Sequence, residues 1–269
     1  MNKKVEILLS VMNIKTEEQY NQILKQNKIT GKVLTVNQVE DDVINIIDGD
    51  VRIYSYKEKG ASNSRNRLLE KAQGDICAFA DDDTIYVENY EQIILKEYEK
   101  NPKADMIIFY IENENKQREK IKKIGNKKMN NLDVMRVRTP EITFKRETLK
   151  KLQEANIKFD KNFGPGGIFQ KGEETIFISD ILKSGIKVYS TTKKIGVVQD
   201  TKSTWFKGYN EQFLHDQGAI FYRIAPKTYK LLILQYVIRK YNLYKENINI
   251  VQAYKQMELG AKKCKEIKK

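Results

Sequence analysis

Residues 4–12 are rich in Val, Ile and Leu, a pattern that predicts a first strand. A polar stretch with spaced Glu and Gln follows at 16–27 and predicts a helix. Gly31 opens a second strand at 32–36, and a third is expected at 51–54. A second helix is expected over about 61–73, ended by Gly74 in the manner of a C-terminal glycine. The apolar run at 75–80 predicts a fourth strand, residues 88–100 a helix closed before Pro102, and residues 106–111 a fifth strand. Strands alternating with helices of this length predict an α/β protein with a mostly parallel, layered sheet.

Beyond residue 111 the pattern changes. Residues 112–128 form a charged stretch with little to bury and are expected as a loop. A short strand is expected at 142–144, a short helix at 147–153, and a glycine-rich turn at Phe163-Gly164-Pro165-Gly166-Gly167. A helix is predicted over 174–183, stopped by Gly185, with extended segments at 187–190 and 195–199. The last fifty residues are helical and basic in pattern. No repeat or low-complexity linker separates these parts, so the expected organisation is one body: a half at 1–111, a half at 112–225 and a helical extension at 226–269.

Composition adds two constraints. Of 269 residues, 40% are hydrophobic, enough for a real core. Lys and Arg outnumber Asp and Glu by 49 to 36, a formal charge of +13 that favours an anionic partner. Nucleic acid, an acidic membrane and phosphorylated small molecules all meet that description. Cys77 lies in an apolar strand and Cys264 in a lysine-rich tail, so no structural disulfide is expected and a reducing cytoplasm fits best. The apolar run near the N-terminus is too short for a signal peptide, and the longest one, 231–238, is too short to span a bilayer. In the tail, Leu231, Leu232, Leu234, Val237 and Ile238 alternate with lysines and Arg239. Such a helix either packs back on the body or lies on an anionic membrane. The single histidine, His215, leaves no material for a His-based metal site or Ser-His machinery.

Candidate chemistry follows from where the strands end. In an open parallel sheet, ligands bind at the carboxyl ends of strands. The first strand ends in Ser10-Val11-Met12-Asn13, the second in Asn37-Gln38, and the fourth in Asp81-Asp82-Asp83, with Arg65 early in the second helix at the same edge. Three adjacent carboxylates repel one another and call for a positive counterpart. Either they form a polar turn capping the next helix, or they hold Mg2+ or Mn2+ against a nucleoside diphosphate.

The triplet does not stand alone. Gly60-x-Ser62-x-x-Arg65-Asn66, Ala72-x-Gly74-Asp75-Ile76 and Phe79-Ala80-Asp81-Asp82-Asp83 together resemble the signature of family 2 glycosyltransferases, enzymes of the GT-A fold that use nucleotide-activated sugars. The likeness covers about 5–198 and is densest at 59–86. Lys171-Gly172-Glu173-Glu174 resembles the family's Gly-Glu-Asp segment, and Ser203-Thr204-Trp205-Phe206 resembles the acceptor loop of bacterial polysaccharide enzymes. The resemblance implies a GT-A, Rossmann-like sheet with helices on both faces, the helical tail being additional. It implies that Asp83 ligates Mn2+ or Mg2+, and that Asp81 contacts the ribose or shares the metal. Arg65 and Asp82 would lie by the nucleotide, with Ser10, Met12 and Asn13 walling the base. Asn37 stands where the family usually has an aspartate. Glu174 falls at the general base of inverting members, with Glu173 its rival and helix capping the alternative for both. Trp205 and Gly166 are the acceptor-side candidates.

The expected activity is transfer of a hexose from a UDP-sugar to a hydroxyl of a glycan or lipid-linked glycan during surface-polysaccharide (capsule-type) synthesis. The expected place is the cytoplasm, with peripheral contact at the inner face of the membrane. One rival is a basic nucleic-acid-binding protein, which accounts for the charge but not for an acidic triplet that would repel phosphates; the favoured reading has no nucleic-acid partner. An inactive partner subunit and a nucleotidyltransferase are the other rivals.

Overall fold

The computed structural model describes residues 3–41, 44–114, 125–131, 133–199 and 208–267. The chain runs β1 (Val5–Met12), α1 (Glu17–Gln26), β2 (Lys32–Gln38), β3 (Ile46–Asp48), β4 (Val51–Tyr56), α2 (Ala61–Lys71), β5 (Ile76–Asp81), β6 (Thr84–Tyr86) and α3 (Tyr90–Lys100). It continues through β7 (Met106–Asn113), β8 (Lys127–Lys128), β9 (Ile142–Lys145), α4 (Arg146–Glu154), α5 (Glu173–Lys183), β10 (Val188–Val198), α6 (Glu211–Ile224), α7 (Tyr229–Arg239) and α8 (Ile250–Ile267).

All the described strands join one sheet in the order β3-β4-β2-β1-β5-β9-β7-β10-β6, with β8 beside β10. Strands β4, β2, β1 and β5 are parallel, as are β7 and β10. β9 runs antiparallel between the two parallel groups. The sheet therefore takes strands from both halves of the chain. The segments expected at 187–190 and 195–199 are one strand, β10, whose register against β7 shifts between Ser190 and Gly196. β3, β6 and β8 were not read from the pattern; at two or three residues each they are too short for a periodicity to register.

Helices cover both faces. On one, Tyr20 of α1 and Tyr90, Ile94 and Tyr98 of α3 pack on Ile7, Leu9 and Ile107. On the other, Leu68 of α2, Leu152 of α4 and Phe177, Ile178 and Ile181 of α5 pack on Leu8, Phe79 and Phe144. Strands covered on both sides read as continuous apolar runs, which is why β1 and β5 are buried along nearly their whole length. Glu6 is the exception within β1. It is fully buried, and its carboxylate accepts from Arg52 Nη2 at 2.7 Å and from the backbone N–H groups of Gln73 (2.6 Å) and Gly74 (2.7 Å). α2 stops at Lys71 with Ala72 as its cap, so Gly74 does not end it; a Cβ on Gly74 would lie 2.4 Å from Cβ of Glu6, and close packing is what requires the glycine. This cluster sits at the amino ends of the strands, away from the site described below.

The C-terminal helices form a third core, with Leu214, Phe221, Ile233, Val237 and Met257 inside. The apolar stripe of α7 divides: Ile233 and Val237 pack inward, whereas Leu231, Leu234 and Ile238 are exposed. Helices α6 and α8 touch backbone to backbone at Gly218 and Gly260. A Cβ at Gly218 would fall 1.8 Å from the Met257 carbonyl oxygen. Gly218→Ala should therefore cost at least the ~1–3 kcal/mol of an overpacked core, read as a lowered Tm with donor binding retained.

Candidate active site

The strand order sets the sheet edge at which the polar clusters meet. Ser10 is in register with Asp81 across β1 and β5, Val11 with Asn37 across β1 and β2, and Asn37 with Ser55 on β4. These positions lie at the carboxyl ends of parallel strands, where crossover loops leave space for a ligand.

Arg65 organises the centre. The side chain is buried, Nη1 donates to Glu173 Oε1 at 2.6 Å and Nη2 to Asp81 Oδ1 at 3.4 Å, while Nε has no partner. Burial opposes its charge, but the carboxylates of Asp81, Glu173 and Glu174 outweigh burial and hold the guanidinium protonated. One arginine thus links the end of β5 to the first turn of α5.

That link depends on one face of α2. Ser62 Oγ donates to the Phe163 carbonyl at 2.8 Å, and Asn66 exchanges two hydrogen bonds of 2.9 Å with the backbone of Phe159. The Ala61 N–H donates to the Pro165 carbonyl at 3.0 Å. Gly166 has φ of 86°, and a Cβ there would lie 2.7 Å from Cα of Gly60. The residues of the Gly-x-Ser-x-x-Arg-Asn pattern therefore clasp the segment 159–167, a hundred residues later in the chain. Gly164 in turn lies against Glu173: a Cβ there would come within 2.8 Å of its carboxyl carbon.

Glu173 and Glu174 open α5 after Gly172, which adopts φ of 97°. The two glutamates differ sharply in partners. Glu173 is paired with Arg65, whereas Oε2 of Glu174 is buried without a hydrogen-bond partner. Burial first, and the Glu173 charge second, raise the Glu174 carboxyl well above the ordinary glutamate range, with Arg65 opposing. Lys171, just before this turn, donates to Gln217 Oε1 at 2.8 Å and lies 3.1 Å from the centre of the Phe213 ring. Burial pushes its amine down to about 7 against the pull of Asp216 and Glu174.

The aspartates of the triplet diverge. Asp81 faces Arg65. Asp82 is exposed, and its carbonyl accepts from Asn27 Nδ2 at 2.9 Å. Asp83 is half-buried; burial and then the charges of Asp81 and Asp82 push its carboxyl up to about 6, despite a favourable contribution from Arg138. Arg138 was not singled out in the sequence, since nothing local distinguishes it. In the fold it grips Glu141 and the Ile111 carbonyl beside the triplet.

Ser10 Oγ accepts from Ser64 Oγ at 2.9 Å. Met12 is 58% exposed and Asn13 adopts φ of 57°, a left-handed conformation that asparagine tolerates. Asn37 is fully buried. Its oxygen accepts from the Ile14 N–H (3.1 Å), and its amide donates to the Ile14 carbonyl (2.8 Å) and to Ser55 Oγ (3.1 Å). It thereby pins the loop carrying Met12 and Asn13. Trp205 and its neighbours Ser203, Thr204 and Phe206 lie outside the described residues.

A mostly parallel sheet with helices on both faces, and a carboxylate–arginine cluster at its strand ends, give the chain the GT-A fold. Residues 34–164 match the model of glycosyl transferase family 2. Among solved structures the chain is similar to TarS of S. aureus. Against TarS 1–349 in complex with UDP-GlcNAc it has 11% identity over 91% of this chain and 74% of that one, with a TM-score of 0.58. Against the UDP complex the coverage is 91% and 73% at 11% identity, with a TM-score of 0.56. Against a longer TarS chain the same 91% of this chain spans only 44%, at 11% identity and TM-score 0.56. No curated protein matches the chain.

Proposed function

We propose that the protein moves a hexose from a UDP-sugar to a hydroxyl of a glycan or lipid-linked glycan, with inversion, in the synthesis of a surface polysaccharide at the cytoplasmic side of the membrane. The observation that carries this reading is the Arg65 bridge between Asp81, at the expected diphosphate end, and Glu173, beside the expected base. TarS is a fold relative whose crystals held UDP and UDP-GlcNAc, which makes uridine donors the first to test.

The donor set fits a divalent cation. Among the described residues no cluster of three or more His, Cys, Asp or Glu side chains forms a metal cage. Two carboxylates suffice for Mg2+ or Mn2+ when substrate phosphates supply further oxygens. Burial and the charges of Asp81 and Asp82 disfavour the Asp83 carboxylate, and a bound cation would offset that cost. Asp83, with Asp81, would hold the cation, which when bound would neutralise charge on the departing diphosphate. Arg65 stands beside Asp81 as a fixed positive charge on the same side. Met12 and Asn13, on the loop pinned by Asn37, wall the base; Gly166 and Trp205 belong to the acceptor side.

A sugar hydroxyl is a weak nucleophile, so a carboxylate must take its proton as the new bond forms. Glu174 suits that role: one of its oxygens has no partner, and burial makes the carboxylate more basic than a free glutamate. Glu173 holds Arg65 in place and is the positioning partner. Thermal-shift measurements with nucleotide sugars, with and without Mn2+, test the donor. A UDP-sugar at 100 times its Kd should add about 2.7 kcal/mol in the presence of metal. Asp83→Ala should abolish the metal-dependent part of that gain while leaving the unliganded Tm close to wild type. Release of pyrophosphate instead of UDP would point to a nucleotidyltransferase.

A further inference from the structure

The C-terminal helices carry a surface that glycosyl transfer leaves unused. On α7, Leu231, Leu234 and Ile238 recur at helical spacing on the face turned away from the core and are 67%, 47% and 59% exposed. Ile233 and Val237, on the opposite side, are fully buried, so the outward stripe is surplus to packing. Cations flank it: Lys227 and Lys230 towards one end, Arg239 and Lys240 towards the other, all exposed except that Lys230 reaches Glu258 at 3.8 Å. Beside α7 a groove of ≈ 420 Å³ is lined by Tyr222, Tyr229, Leu259 and Ala261, with Lys255, Lys262 and Lys265 against the single acid Glu258. From Pro226 to Ile267 the chain has nine Lys and Arg against three Glu.

We propose that the α7–α8 face docks on an anionic lipid bilayer. An apolar stripe between cations matches the boundary between acyl chains and headgroups, with leucines inserted and lysines reaching up to lipid phosphates. Tyrosines in the adjoining groove suit the same boundary, being apolar in body and polar at the tip. No described helix is long and apolar enough to cross a membrane, so the surface lies on the bilayer. The concentration of positive charge around the stripe favours anionic lipid over an uncharged surface, each lysine adding to the attraction within a Debye length.

Cosedimentation with phosphatidylcholine vesicles, with and without phosphatidylglycerol, reads the proposal directly. The full chain should bind only the vesicles containing phosphatidylglycerol and should be released by high salt. Lys255→Glu with Lys262→Glu should weaken that binding by about 30-fold or more, the scale of two lysines' contributions at an anionic surface. Leu231→Ser with Ile238→Ser should weaken it at least tenfold, since both side chains give up their insertion. All four positions are exposed, so the Tm and the UDP-sugar hydrolysis of both variants should match wild type, and that control keeps a failure of the donor site distinct from a failure of docking. Equal binding to both vesicle types, binding to neither, or variants that bind like wild type would overturn the proposal. So would a dimer in solution that Leu231→Ser with Ile238→Ser dissolves while vesicles remain unbound, because the stripe would then be an interface between copies.

Discussion

Arg65→Ala should cost the fold roughly 3–5 kcal/mol and leave no measurable transfer. The guanidinium is buried and faces Glu173 at 2.6 Å and Asp81 at 3.4 Å, so its loss strands the buried Glu173 carboxylate. Breaking a buried pair by removing one partner is far more costly than replacing both. For a chain of this size the loss corresponds to a Tm lowered by roughly 10 °C. Arg65→Lys should recover only part of it, because one ammonium cannot serve two carboxylates as the fork does. The double variant Arg65→Ala with Glu173→Gln should be more stable than Arg65→Ala alone, since the stranded charge goes with its partner. An Arg65→Ala protein melting with wild type would show that the bridge holds nothing together.

Glu174→Gln should lower kcat by roughly 10²–10⁴-fold with the Kd for the UDP-sugar nearly unchanged. The amide keeps the shape but cannot accept the hydroxyl proton. The direction of the Glu174 shift also fixes a pH dependence. A base works unprotonated, and burial with the neighbouring Glu173 charge raises the pH at which Glu174 gives up its proton. The acid limb of kcat against pH should therefore lie above the ~4.3 of an ordinary glutamate and vanish in Glu174→Gln. Glu173→Gln removes the repelling charge and frees Arg65, so it should move that limb to lower pH. A limb unmoved in Glu173→Gln would separate the two glutamates and dismiss the coupling; a Glu174→Gln enzyme with wild-type kcat would dismiss the base.

The two variants act at opposite ends of one ion-pair chain. Arg65 lies between the carboxylate at the end of β5 and the first turn of α5, so what binds at Asp81 bears electrostatically on Glu173 and, through it, on Glu174. A cation at Asp83 would draw down the carboxyl that crowding now holds at about 6.

Much of this was legible in the linear pattern. Long apolar runs announced β1, β5 and β7, because strands covered on both faces need no polar alternation. The acidic triplet at a strand end announced a charged site through simple repulsion. What the linear pattern lacks is any mark of the partner brought in from far along the chain. Ser62 and Asn66 pass for ordinary helix-surface residues until the 159–167 segment lies on them, and Asp180, which passes for a surface acid, receives Arg223 at 2.6 Å. Asn37 carries no sign that its amide is committed to Ile14 and Ser55. The division of labour between Glu173 and Glu174 is also a tertiary matter, since adjacent glutamates in a first turn are chemically equal until one receives Arg65 Nη1 and the other keeps an oxygen without a hydrogen-bond partner.

Sequence by itself therefore determined the layered α/β class and the polar clusters at the strand ends, because these follow from local periodicity and from charges set side by side. Tertiary structure alone decided which carboxylate is paired, which is left basic and which face of α7 remains outside. Those outcomes depend on burial and on contacts across a hundred residues, and hydrophobic periodicity carries no record of either.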